Sequence, residues 1–236
     1  MPEAFDHRPL DPLRRAEHAL RRRLEELDDG GLRLPVTPGP FFVLLAQPIG
    51  IPDFDVTYGT QECDAAARKL LRARPGGYDI SDRKLRFMPP HTFGSVEPNP
   101  TTRPDRFAYV HVTEDGLVEL ASGEVADMGS REIVGLGGIE DEIRKHDAQA
   151  IQEAFEELGV EGRVMVTVAL LRTGGAKVRW IEPVPSEGVL GDSHVTIQPR
   201  CFATPSDLSD ANLIGLVQKL WTTITRQALP VAKNGA

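Results

Sequence analysis

Residues Arg106 to Ser122 read Arg-Phe-Ala-Tyr-Val-His-Val, then Thr-Glu-Asp-Gly, then Leu-Val-Glu-Leu-Ala-Ser. Two short apolar runs flank Asp115-Gly116, a pair suited to the positive φ of a tight turn, so the stretch predicts an antiparallel hairpin of 106–112 and 117–122. In that hairpin Phe107, Tyr109 and His111 share one face, with Leu120 and Ser122 across from them. Residues 163–172 and 176–181 flank Gly174-Gly175 and predict a second hairpin on the same grounds.

Outward from the hairpins, Phe41-Phe42-Val43-Leu44-Leu45-Ala46 lies between Pro40 and Pro48. A continuous apolar run of that length fits a strand covered on both faces. A helix is expected over 11–28, because Leu13, Ala16, Leu20, Leu24 and Leu27 recur at spacings of three and four. Gly30-Gly31 stops it, and Arg14, Arg15, Arg21, Arg22 and Arg23 are read onto its other face, balanced by nearby Glu and Asp. Further helices are expected over 61–73, over 139–158 and after Thr204, where Thr204, Pro205 and Asp207 form a start signal. Ser193 to Gln198 reads as a strand. Five prolines between 87 and 106 predict a loop over 86–106 that stays out of the sheet interior. The expected class is α+β: a mixed, largely antiparallel sheet with two hairpins, packed by amphipathic helices. The expected division is helix and linker over 1–34, one domain over 35–230, and a disordered tail over 231–236.

The 236 residues carry 27 Lys and Arg against 35 Asp and Glu, a net charge of −8. That balance argues against an overall fit to nucleic acid or anionic lipid. No apolar run is long enough to span a bilayer, and the opening residues form no signal peptide, so a cytoplasmic protein is expected. Cys63 and Cys201 form no CxxC pair, which argues against a disulfide framework or a cysteine zinc site.

Few residues suggest chemistry. Gly135-Leu136-Gly137-Gly138 precedes a helix, but Glu140 stands where a dinucleotide fingerprint needs its third Gly, and acids in the first turn would repel phosphate. The six His form no metal-binding spacing, and no G-x-S-x-G elbow occurs. No catalytic residue, metal or cofactor is therefore assigned. Asp147 falls in the apolar stripe of its helix, and a carboxylate there needs a partner. The second expected hairpin sets Arg172 opposite Lys177, with Arg179 on the same face. Like charges so placed suggest an anion between them. Asp147, Arg172, Lys177, Arg179 and His111 are thus candidate ligand-binding residues, the alternative being that the basic side chains simply face water. Leu13, Leu20, Leu24, Arg14 and Arg21 on the first helix are candidate partner-binding residues.

The Arg-rich helix from Arg14 to Leu27, the run Phe41 to Leu45 ending in Pro48-Ile49, the Pro-rich stretch leading into Phe107-Ala108-Tyr109-Val110, the strand Val164 to Leu171 and the amphipathic last helix together resemble the C-terminal region of bacterial Schlafen AlbA-type proteins. In that family the nucleotide-related features belong to a separate N-terminal domain, which the resemblance places before Met1 and which is expected to be missing here. The resemblance implies a sensing or partner-binding module and carries no catalytic residue onto this chain. Three functions are expected to compete. The first is a non-catalytic binding or regulatory module for a protein partner, a second copy or a small anionic ligand. The second is an enzyme acting on phosphate esters or another anionic substrate. The third is DNA binding through the Arg-rich helix.

Overall fold

The computed structural model describes residues 11–50, 57–77, 80, 90–97, 105–123, 132–180 and 186–230. The expected tail over 231–236, and 86–89 and 98–104 of the expected Pro-rich loop, lie outside them. Element order is α1 (Pro12–Asp28), β1 (Phe41–Pro48), α2 (Thr60–Lys69), β2 (Thr92–Glu97), β3 (Arg106–Val112), β4 (Val118–Ser122) and β5 (Glu132–Ile133). There follow α3 (Gly137–Glu142), α4 (Ala148–Glu157), β6 (Val164–Leu171), β7 (Lys177–Trp180), β8 (Ser186–Val189), β9 (His194–Thr196), β10 (Arg200–Phe202), α5 (Asp210–Gln227) and β11 (Leu229–Pro230). A π turn over Ile143–Asp147 joins α3 to α4.

The architecture is α+β. β10-β6-β1-β4-β3-β2 form the main sheet, with β9 beside β10 on the outer edge of β6, and every pairing in it is antiparallel. β11-β8-β7-β5 form a smaller sheet, in which β5 and β7 run parallel. β1 is central, and Phe41 to Gln47 are all buried, because side chains on both of its faces meet covering layers. One face packs Phe41, Val43, Leu45, Phe107, Tyr109 and Leu171 against Ala16, Leu20 and Leu27 of α1. The other packs Phe42, Leu44, Val110, Leu120, Val168 and Leu170 against α2, α4 and α5.

The first hairpin forms, but its loop holds Thr113 to Leu117. Gly116 takes φ 78°, and its N–H donates to the Thr113 carbonyl. Val112 therefore pairs with Val118, which sets Tyr109 opposite Ala121 and His111 opposite Glu119, not Leu120 and Ser122. A one-residue change of register exchanges the faces of a strand.

The second expected hairpin does not form. Both edges of β6 are occupied, by β1 on one side and by β9 and β10 on the other. Arg172 takes φ 55° at the end of β6, and the turn Thr173–Ala176 carries the chain into the smaller sheet, where β7 pairs with β8 and β5. Lys177 thus faces Val189 and Arg179 faces Glu187, so neither stands across from Arg172 or Leu170.

Two smaller corrections follow from local geometry. The Thr204–Asp207 box caps only the short turn Pro205–Asp207, and α5 starts from Ser209, whose Oγ accepts the Asn212 N–H. The stretch between the prolines contributes β2, which lies at the edge of the main sheet.

Candidate functional site

Arg23 does not belong to the exposed face of α1. It falls in the row Ala16, Leu20, Arg23, Leu27, which spaces by four, three and four and faces the sheet. Its guanidinium meets Glu119 of β4 in a two-bond pair, Nε to Oε2 at 2.7 Å and Nη2 to Oε1 at 3.0 Å. Nη1 donates to Glu26 at 3.1 Å, and Nη2 also donates to the Gly31 carbonyl at 3.0 Å. The Tyr109 hydroxyl donates to Glu119 Oε1. Glu119 and Tyr109 are fully buried. Burial alone would push the Glu119 carboxyl up; Arg23 and the Tyr109 hydroxyl outweigh it and hold the carboxyl below its usual range. Burial and the neighbouring Glu119 charge raise the Tyr109 hydroxyl.

Register extends this cluster across the sheet. Thr92, His111, Glu119, Leu45 and Thr167 stand side by side on β2, β3, β4, β1 and β6. The Thr92 hydroxyl and His111 Nδ1 lie 2.8 Å apart. Burial, aided by Arg33, pulls the His111 imidazole down to about 4, so the ring is neutral near pH 7. At the other end, the Thr167 hydroxyl donates to the Ile197 carbonyl at 3.0 Å. Ile197 to Pro199 oppose only Val168 and Thr167, a β-bulge between β9 and β10 that places Pro199 where no ladder donor is needed.

The C-terminal end of α1 is fastened separately. Asp28 Oδ1 accepts the Arg172 N–H at 3.4 Å, while Asp28 Oδ2 lies 3.2 Å from Ser193 Oγ and 3.1 Å from His194 Nδ1. Ser193 Oγ also lies 3.2 Å from His194 Nδ1. Ser, His and Asp are the residues of an acyl-transfer triad, but there the acid and the nucleophile sit on opposite ring nitrogens. Here both sit on Nδ1, so the trio joins α1 to β9 and does not have the order of that relay.

Between α1 and the β9–β10 edge runs an open groove. One hollow of about 390 Å³ is lined by Arg21, Leu24, Glu25, Asp28, His194 and Thr196 among others. A second of about 230 Å³ continues over Thr167 and the bulge, and a third of about 270 Å³ lies by Arg14 and His18. Arg21 borders all three.

The residues expected to bind an anion do not converge. His111 lies on the α1 side of the sheet. Asp147 lies in the helical layer on the other side, in the π turn, where it accepts the Arg74 N–H at 2.7 Å. Burial, together with the nearby Glu142 charge and against the Arg74 N–H, pushes its carboxyl up to about 7. Arg172 ends β6, while Lys177 and Arg179 are exposed on β7, with Arg179 Nε 2.7 Å from Glu132. Of the residues expected to bind a partner, Leu20 is fully buried against the sheet and unavailable; Leu13 and Leu24 are half-buried, and Arg14 and Arg21 are exposed. Sequence reasoning missed Arg23 and Glu119. The spacing of Arg23 within the apolar row, and the place of Glu119 between Val118 and Leu120, were the available signals.

Among the described residues, no group of three or more His, Cys, Asp or Glu side chains stands where it could hold a metal ion, and no helix is long and apolar enough to cross a membrane. Comparison with known protein families, curated proteins and solved structures finds no match to this chain.

Proposed function

We propose that this chain is a non-catalytic interaction module that takes a protein partner along α1 and the groove beside it. The observation that carries the reading is the groove: it opens at the edge of the main sheet, between a helix tied down at two places and the outer strands β9 and β10, whose far side has no ladder partner among the described residues. Such an edge accepts an extended segment by adding a strand, and a flanking helix supplies side-chain contacts. The resemblance to Schlafen AlbA-type C-terminal regions favours the same class of function. The small-anion reading loses support because its basic residues stand on different sheets. DNA binding loses support because Glu25, Glu26 and Asp29 share the exposed side of α1 with its arginines. The unpaired Cys63 and Cys201 favour the cytoplasm as the place of work.

The test is a selection of random peptides on the immobilised protein, counter-selected on Thr196→Arg, which fills the groove from an exposed position on β9. Binders that prefer the parent and slow amide exchange at His194 to Thr196 are expected. A selection that yields no binder sensitive to Thr196→Arg overturns the reading.

A further inference from the structure

The charges on α1 run against its own dipole. A helix end is stabilised by acids at the N-terminus and bases at the C-terminus. α1 has no acid in its first turn and no base in its last. Arg14 instead stands near its start, and Glu25, Glu26 and Asp29 at its end. All four are exposed, on the same side as Arg21 and Arg22. Within the helix, Arg21 pairs with Glu17 at 3.2 Å and Arg22 with Glu26 at 3.5 Å. The outer charges, Arg14 at one end and Glu25 and Asp29 at the other, have no side-chain partner within hydrogen-bond or ion-pair distance among the described residues.

A stripe that is positive at one end and negative at the other is its own complement when turned end for end. We propose that the partner of this face is a second copy of the chain, with the two α1 helices side by side, antiparallel, about a two-fold axis near Arg21 and Arg22. That axis brings Arg14 to Asp29 of the other copy and His18 to its Glu25, twice each, as an isologous contact requires. The arginines at the axis are already neutralised on their own helices by Glu17 and Glu26, which limits their repulsion. The 17-residue helix is about 25 Å long, so the contact spans about 25 Å and belongs at the small end of specific interfaces. Its attraction is between exposed charges, so it is weak and screened by salt. The proposal rests on α1 being a docking surface and names its occupant.

The test is sedimentation equilibrium on the full chain, with two charge-reversed forms. Arg14→Glu with His18→Glu makes the outer charges acidic at both ends of the stripe; Glu25→Lys with Asp29→Lys makes them basic at both ends. All four positions are exposed, and circular dichroism checks that both forms fold. The parent should associate at about 50 mM salt and do so about tenfold or more weakly at about 500 mM. Each reversed form alone should stay monomeric, and an equal mixture of the two should pair, because the introduced acids at 14 and 18 then meet the introduced lysines at 29 and 25, and Arg14 of one form meets Asp29 of the other. A parent that stays monomeric at both salts, a reversed form that associates like the parent, or a mixture that does not pair overturns the proposal. None of these results touches the peptide selection, which decides the docking reading separately.

Discussion

Removing Arg23 should cost far more than its position on a surface helix suggests, and removing Glu119 with it should return much of that loss. Arg23 is 6% exposed and Glu119 fully buried. In Arg23→Met the Glu119 carboxylate keeps only the Tyr109 hydroxyl, so an uncompensated buried charge costs about 3–5 kcal/mol. Glu119→Gln should cost less, about 2 kcal/mol, because Glu26 and the Gly31 carbonyl still face the guanidinium. In the double variant no buried charge is stranded, so the two losses should fail to add by about 2 kcal/mol or more. Urea unfolding followed by the fluorescence of Trp180 and Trp221 measures all four proteins, with the denaturant slope checked for constancy. The pH dependence gives a second reading. In the parent the Glu119 carboxyl is held down, so its contribution is present above the unfolded value of 4.5 and is lost as pH falls through the lower folded value. In Arg23→Met the carboxyl loses its cation while remaining buried, and moves up. That variant should then gain stability as pH falls, the opposite sign. Losses that add within about 0.5 kcal/mol, with the same pH slope in parent and variant, refute the reasoning.

Two buried groups should tilt the pH profile in opposite directions. His111, pulled down to about 4 from 6.5, stabilises above 6.5 and loses that contribution as pH falls toward 4, whereas Asp147, pushed up to about 7 from 3.8, stabilises below 3.8 and loses it as pH rises through 7. The upper bounds are about 3 kcal/mol for His111 and about 4 kcal/mol for Asp147, so as pH falls from 6.5 to 4.5 Asp147→Asn should lose stability relative to the parent and His111→Gln should gain it; urea titrations at several pH values that leave both slopes equal to the parent's contradict the two burials. Gly116→Ala should cost about 2 kcal/mol, because φ is 78° there and a Cβ would stand 2.6 Å from Tyr58 Cε2; a melting temperature unchanged by the substitution would count against the turn as described.

What could be read from the sequence were features that chain neighbours settle. The run Phe41 to Ala46 announces a strand covered on both faces, and Asp115-Gly116 announces its hairpin. Asp147 broke an apolar stripe and is buried, though its partner is the Arg74 backbone rather than a cation. What failed depended on distant chain. Gly174-Gly175 carries the same local signature whether the next strand returns or crosses to another sheet. The choice was made by β9 and β10, which already filled the free edge of β6. The facing of His111 turned on one residue of loop length, which pattern alone does not fix. Arg23 was legible in principle, but grouping it with neighbouring arginines hid a spacing that belonged to the leucines.

The two buried attachments bear on the exposed surface. Arg23 holds the middle of α1 to the main sheet, and Asp28 holds its end to β6 and β9. A helix so fixed presents its outer charges with little freedom left to lose, which lowers the entropy cost of docking. The same charges oppose the helix dipole, by about 0.3–1 kcal/mol for each misplaced group, so they detract from the fold that carries them. A local rule broken without gain to stability is where function is expected. On the proposed reading, the arrangement at α1 separates two tasks on one helix: an inward ion pair and leucines that secure it, and an outward stripe whose charge order serves a partner and not the monomer.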